Sequence, residues 1–160
     1  MTEQRVFQAA FESYAPEALQ MAYDFCDAHE DVRRFWVIAM TGKSIGGNAV
    51  YDVNGQILMP HQLDQQIPDL DCSVEAQLDQ LLGPLTDLTV DLASRVREAG
   101  EEMPQRIIMR YDVLDENMEA SLTYDDLQPG VAEEDRLDAG TLVDRWVERL
   151  RTTGSDSAEP

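Results

Sequence analysis

Carboxylates are the side chains best placed to do chemistry in this sequence, because they are both numerous and clustered. The chain has 160 residues, with 32 Asp and Glu against 12 Lys and Arg, so its formal net charge is -20. Nine acids lie close together in the C-terminal third: Asp112, Asp115, Glu116, Glu119, Asp125, Asp126, Glu133, Glu134 and Asp135. A surface of one sign attracts an oppositely charged protein and speeds their association. The cluster therefore predicts a docking surface for a basic partner protein, with an ordinary solvated edge as the alternative.

Metal-binding patterns are weak despite the many carboxylates. The pairs Asp69–Asp71 and Asp125–Asp126 have oxygen ligands to offer a cation, but neither fits a calcium loop with its glycine and terminal glutamate. His29 and His61 are the only histidines, and neither has a second histidine or cysteine at ligand spacing. We expect no metal site.

Nucleotide-binding and nucleophile motifs are also incomplete. Gly42-Lys43-Ser44 resembles the end of a phosphate-binding loop, but Val37 occupies the position of the first glycine and no helix is predicted to follow. None of the other serines considered lies in a nucleophile elbow; they are Ser13, Ser73 and Ser121. We therefore expect no cofactor and no enzymatic activity.

The overall charge narrows the classes of partner. A net charge of -20 repels nucleic acid and anionic membranes, so neither is expected as a partner. No apolar run is long enough to span a bilayer and no signal peptide is visible. Cys26 and Cys72 are far apart and form no CxxC motif, which favours reduced thiols and a cytoplasmic protein. Solubility or a salt-adapted proteome is the alternative explanation of the acidity.

The nine acids surround a predicted β-hairpin over Gln105–Asp126. Apolar residues occupy every second position of both strands: Ile107, Met109, Tyr111 and Val113, then Met118, Ala120, Leu122 and Tyr124. This period of two places them on one face of a sheet, and the polar turn Asp115–Asn117 suits an antiparallel pair. The second face carries Arg106, Arg110, Asp112 and Glu119 toward solvent or a partner, with Ile108 as its one apolar residue.

Helices and strands alternate in blocks before this hairpin. The spacing of apolar residues predicts helices over Thr2–Tyr14 and Glu17–His29, or one helix kinked at Pro16. Arg34–Thr41 is apolar on both faces and predicts a strand covered on both sides. A meander follows: the strand Asn48–Val53, a tight turn at Asn54-Gly55 and the strand Gln56–Met59.

Two loops and two helices complete the predicted organisation. His61–Cys72 is expected to be a loop, and Ser73 to cap a helix that runs to Gly100 with a kink at Gly83-Pro84. Leu127–Gly140 is expected to be an acidic loop before a last helix, capped by Thr141 or Asp138, whose buried face includes Trp146. The order predicts one α+β domain over residues 1–151, an antiparallel β-meander with helices packed on one face. Residues 152–160 are predicted to form a disordered acidic tail.

Three parts of the sequence resemble the YezG-like family of immunity proteins from bacterial polymorphic toxin systems. They are Pro16-Glu17 with Phe35-Trp36-Val37, the Tyr51–Gly55 hairpin with Leu63, and Ser121–Asp125 followed by the helix bearing Trp146. The resemblance covers most of residues 5 to 150 as a pattern, and departs from the family in the Leu-rich helix after Ser73 and in the segment Gln128–Ala139.

This resemblance implies a small α+β binding protein, monomeric or homodimeric, that neutralises a cognate basic toxin domain. Its acidic surface would occlude the toxin's active cleft, and a nuclease is a suitable target because its cleft must bind phosphate. Two alternatives stay open. A chaperone-like or adaptor protein would show an apolar groove and dimerise, and an enzyme would show acids converging on a metal.

Overall fold

The structure is a computed structural model that describes residues 5–42 and 44–156. Its helices and strands are α1 (Arg5–Phe25), β1 (Val32–Met40), β2 (Gly46–Val53), β3 (Gln56–Leu58), α2 (Val74–Gln77), α3 (Gly83–Glu98), β4 (Arg106–Asp112), β5 (Asn117–Thr123) and α4 (Ala139–Thr153). Short 3-10 helices span Pro60–Gln65 and Glu133–Asp135, and a π-helical turn spans Leu78–Leu82. Lys43, in the tripeptide that resembles a phosphate-binding loop, and Thr2, where the first helix is predicted to begin, lie outside the described residues.

The five strands form one antiparallel sheet in the order β3-β2-β1-β4-β5, which confirms the predicted α+β fold. The tight turn between β2 and β3 is at Asn54 and Gly55, as predicted. Their φ angles of 54° and 88° belong to the left-handed region, which asparagine and glycine tolerate best. In this strand order, the short β3 and the longer β5 lie at the two edges of the sheet.

Helices cover both faces of this sheet. On β1, the side chains of Phe35, Val37 and Ala39 belong to a core shared with α1 and α3. The intervening Trp36, Ile38 and Met40 belong to a second core shared with α4. The two-sided burial predicted for this strand is confirmed, whereas the expectation that all helices pack on one face fails for α4. The second face of β4 is mostly polar in sequence. For this reason the sequence did not indicate that α4 covers the part of this face around Ile108.

Local sequence signals decide how the helices begin and continue. Pro16 lies inside α1 on its exposed side, so the first apolar segments form one helix rather than two. The Ser73 side chain accepts a hydrogen bond from the backbone N–H of Ala76, which confirms the predicted cap. A Cβ atom on Gly83 would lie 2.6 Å from the carbonyl oxygen of Leu78, so the π-helical turn requires glycine there.

The C-terminal helix ends later than the sequence indicates. The Asp138 side chain accepts a hydrogen bond from the N–H of Thr141, so Asp138 rather than Thr141 is the cap. α4 continues through Thr153, two residues into the predicted tail, and Asp156 makes side-chain hydrogen bonds to the body of the protein. The rest of that predicted tail, residues 157–160, lies outside the described residues. Within the described part of the chain, no helix is both long and apolar enough to cross a membrane.

Candidate docking surface

The nine predicted acids occupy three places around β5 rather than one patch. Asp115 and Glu116 lie in the turn before the strand, and Asp112 and Glu119 lie on the α4 face of the β4–β5 pair. The others follow the strand: Asp125, Asp126, Glu133, Glu134 and Asp135. Because β5 has seven residues, about 20 Å of strand separates the turn from Asp125. The structure thus places acids at both ends of β5.

Arginines neutralise the two acids on the face of the hairpin. The register places Arg34 of β1 opposite Asp112, and their side chains form an ion pair of 3.1 Å. Arg110 lies opposite Glu119 and contacts its carboxylate at 2.6 Å, and also approaches Asp112 at 3.3 Å. These two acids are therefore committed to contacts within the sheet.

Arg136 does the same for two acids in the loop after β5. It holds Asp126 with two parallel hydrogen bonds, one of them 2.8 Å long, and lies 3.7 Å from Glu133. The hydrogen bond from Arg136 lowers the pKa of the Asp126 carboxyl from its usual value to about 2. This pair closes the loop on itself and offers little charge to a partner.

The remaining five acids are exposed and form no ion pair with any described residue. They are Asp115, Glu116, Asp125, Glu134 and Asp135. Glu116 has a φ of 50°, so the turn presents this side chain from a left-handed backbone position. These five residues, the free acids, are the part of the predicted site whose charge is available to a partner.

Arg110 is also the centre of a network that the sequence did not indicate. It donates to Asp156 at 2.9 Å, and Asp156 accepts a second hydrogen bond of 2.9 Å from the indole N–H of Trp36. Burial raises the pKa of Asp156, but the hydrogen bonds from Trp36 and Arg110 outweigh it and lower the pKa overall. Burial likewise lowers the pKa of Arg110, while the carboxylates around it raise the pKa overall. The segment after α4 is thereby fixed beside the hairpin.

An apolar groove runs between α1 and the β4–β5 pair. Its open volume is about 400 Å³, and it is lined by Ala15, Pro16, Leu19, Gln20, Tyr23, Phe35, Tyr111 and Met118. Met118 and Leu122 of β5 point to this side of the sheet and remain 38% and 37% exposed. The sequence periodicity predicted that this face of β5 faces the core, yet its side chains are only partly covered. Alternation identifies an apolar face but does not show how far a helix extends over it.

The two sheet edges differ in how they are protected. β3 has three residues, and Arg151 from α4 donates to its Ile57 carbonyl at 3.0 and 3.2 Å. β5 has seven residues, all exposed except Thr123. It contains neither proline nor lysine, and Glu119 is its one charged residue. Edge strands are usually shortened, covered or interrupted by such residues, so β5 is open to pairing.

Two of the residues considered for metal binding, and the buried cysteine, have ordinary structural surroundings. Within residues 5–42 and 44–156, no three His, Cys, Asp or Glu side chains are grouped to hold a metal ion. The Asp71 carboxylate accepts a hydrogen bond from Ser73 N–H, and His29 Nδ1 accepts one from Asp31 N–H at 3.1 Å. Cys26 is a free, buried thiol whose pKa is raised to about 11 by that burial.

Comparison with known proteins adds no assignment to this geometry. No family model matches the chain, and no curated protein is significantly similar to it.

Proposed function

We propose that this protein binds a basic partner protein through the β4–β5 hairpin and the acidic loop that follows it. One observation carries the proposal: free acids flank both ends of an open edge strand. Charges that already have arginine partners would have to break those contacts to help a partner bind. The free acids have no such cost, so a basic surface gains their attraction directly.

The inhibitory form of this function is the one we favour. The resemblance to YezG-like immunity proteins suggests a toxin domain as the partner, held in the cytoplasm by a protein that has no catalytic duty. Toxins that cleave nucleic acid need a basic cleft for phosphate, and an acidic hairpin fits such a cleft by charge. Occlusion requires only binding, which agrees with a site made of surface acids and an apolar groove.

A second candidate is a chaperone-like or adaptor protein for a secreted partner. The groove between α1 and β5 favours it, because an apolar groove of about 400 Å³ can hold side chains of a client segment. The two functions share the surface and differ in what happens to the partner. An inhibitor abolishes the activity of its partner, whereas an adaptor leaves that activity intact.

Capture of partners from native lysate tests the proposal with a matched pair of variants. The first reverses Asp115, Glu116 and Asp125 to lysine, and the second reverses the exposed acids Asp69, Glu75 and Asp79, which lie between β3 and α3. Both variants change the net charge equally. A basic protein retained by the wild type should be lost from the first variant, kept by the second and released by salt.

The comparison of the two variants shows whether binding depends on the position of the acids or only on the net charge. If both variants lose the captured protein equally, net charge rather than this surface drives binding. If neither loses it, the hairpin and its flanking acids are not the docking surface. Adding the captured protein's own activity assay, with and without the wild-type chain, separates the inhibitor from the adaptor.

A further inference from the structure

We infer that the partner binds by adding an extended, basic strand to β5, with alternate apolar side chains of that strand in the groove beside α1. This inference rests on the proposed function and specifies how the partner is held. Three features support it: the open backbone of β5, the apolar groove on one side of the strand, and the free acids at its ends.

The backbone of β5 supplies the first contact. β5 hydrogen-bonds to β4 along one edge, and no strand of the described residues pairs with its other edge. In an antiparallel ladder alternate residues turn their N–H and C=O groups outward, so a strand of seven residues leaves about three such residues unpaired. An added strand satisfies these groups in one step, which is how extended peptides join exposed sheet edges.

The groove supplies pockets for every second side chain of the added strand. Met118, Ala120 and Leu122 lie opposite Tyr111, Met109 and Ile107 and share the α1 side of the sheet. A new strand beside β5 places its own alternate residues on this side, next to Met118. Apolar residues there would complete the contact that α1 begins and cover Met118 and Leu122.

Charge selects a basic occupant over a second copy of this chain. An antiparallel β5–β5 pair centred on Ala120 brings Asp115 of one copy near Asp125 of the other. Centring it on Glu119 opposes the two Glu119 side chains, and centring it on Ser121 brings Glu116 near Asp126. Only the Ala120 register opposes two free acids, because Arg110 pairs with Glu119 and Arg136 pairs with Asp126 within each copy. In every register, the two copies each carry a net charge of -20 and repel each other. A strand with arginine or lysine at its ends meets these acids favourably instead.

Synthetic peptides test the pairing directly. The probe alternates valine and threonine and carries two arginines at each end, and its affinity is measured by fluorescence anisotropy. Two derivatives carry backbone N-methyl groups, one on every valine and one on every threonine, so that each blocks one edge of the strand. Strand addition predicts that one derivative binds at least about tenfold more weakly than the other, since only one edge faces β5. A peptide with glutamate in place of arginine should bind more weakly than the arginine peptide at low salt.

Two variants of the chain test the groove. Met118→Arg places a cation beside β5, and Val90→Arg is the control on α3, where the side chain is exposed to a similar degree, 41% against 38%. Met118→Arg should weaken binding of the arginine peptide about tenfold, and Val90→Arg by less than twofold. Amide hydrogen exchange should slow in β5 when the peptide binds, which a purely electrostatic contact would not cause.

The possible results separate this inference from the proposed function. Equal affinities for the two methylated peptides, no measurable binding, or unchanged exchange in β5 would overturn strand addition. Strand addition can fail in this way while the capture experiment succeeds. If the variant with Asp115, Glu116 and Asp125 reversed loses a protein that the wild type captures, the proposed function stands without strand addition. Light scattering that shows dimers with slowed exchange in β5, and no binding of the arginine peptide, would identify a second copy as the occupant and overturn the inference.

Discussion

Replacing Asp156 by alanine should destabilise the whole domain, although this residue lies beyond the end of α4. Its carboxylate accepts hydrogen bonds from the Trp36 indole and from Arg110, each 2.9 Å long. Trp36 is in the central strand and is 2% exposed. The substitution therefore leaves a donor in the second core without its acceptor.

The size of the effect follows from the two contacts. An unsatisfied buried donor costs about 1–3 kcal/mol. The contact with Arg110 adds little, because Arg110 keeps Glu119 and Asp112 and ion pairs near the surface contribute about 0–1 kcal/mol. Ordering the chain after α4 offsets part of the gain. We expect a loss of about 1–2 kcal/mol, or a fall in Tm of about 2–8 °C for a domain of this size.

Urea unfolding followed by far-ultraviolet circular dichroism measures this loss. Asp69→Ala is the control, since Asp69 is exposed in the loop before α2. Trp36→Phe removes the indole N–H, and its cost should be smaller in the Asp156→Ala background by about 1 kcal/mol if the two residues interact. An Asp156→Ala protein as stable as the control, with additive effects in the double variant, would refute the network.

The same contact has a defined pH dependence. Because the folded-state pKa of Asp156 is lowered, its contribution is fully present above about pH 4, where the unfolded carboxyl is ionised. The contribution is lost as the pH falls through the lowered folded-state pKa. The stability difference between wild type and Asp156→Ala should therefore be largest near neutral pH and shrink in acid. A difference that grows in acid would contradict the assigned direction.

Two further predictions concern the π-helical turn and the acidic loop. Gly83→Ala should destabilise the domain by about 1–3 kcal/mol, because its Cβ would lie 2.6 Å from the Leu78 carbonyl. Gly140→Ala is the matched control in thermal unfolding and should be neutral or slightly stabilising, since its nearest neighbour would be 3.7 Å away. Arg136→Gln should raise the pKa of Asp126 from about 2 toward its usual range, as a carbon-13 NMR titration of the carboxyl would show. An unchanged Asp126 titration would mean that Arg136 does not hold this carboxyl in solution.

Local patterns in the sequence predicted the elements well because their causes are local. The turn at Asn54-Gly55 needs two left-handed residues, and the cap at Ser73 needs one oxygen beside the first helical turn. The side of the sheet on which α4 packs could not be predicted in the same way, because it depends on contacts between residues distant in sequence. The burial of both faces of β1 implied that a helix covers the second face, but the polar residues of β4 obscured it.

The acidic site shows the same difference between what local sequence indicates and what contacts between distant residues decide. The sequence identifies every carboxylate, but the pairing of Asp112 with Arg34 depends on the register between β1 and β4. The pairing of Asp126 with Arg136, ten residues apart, depends on how the loop between them folds back on itself. Charge counting treats all nine acids as equivalent. The structure divides them into four that stabilise the hairpin and its loop and five whose charge is free.

The solvated-edge interpretation and the docking interpretation of the free acids are compatible. An open strand such as β5 is at risk of pairing with a second copy. The free acids at its ends oppose that pairing when it is centred on Ala120, where Asp115 of one copy lies near Asp125 of the other. The same acids attract a strand whose ends are basic. One arrangement of charge therefore protects the edge from the chain's own copies and selects a basic partner. Neutralising Asp115, Glu116 and Asp125 should thus raise self-association in light scattering as it lowers binding of the arginine peptide. A change in one property without the other would separate the two roles.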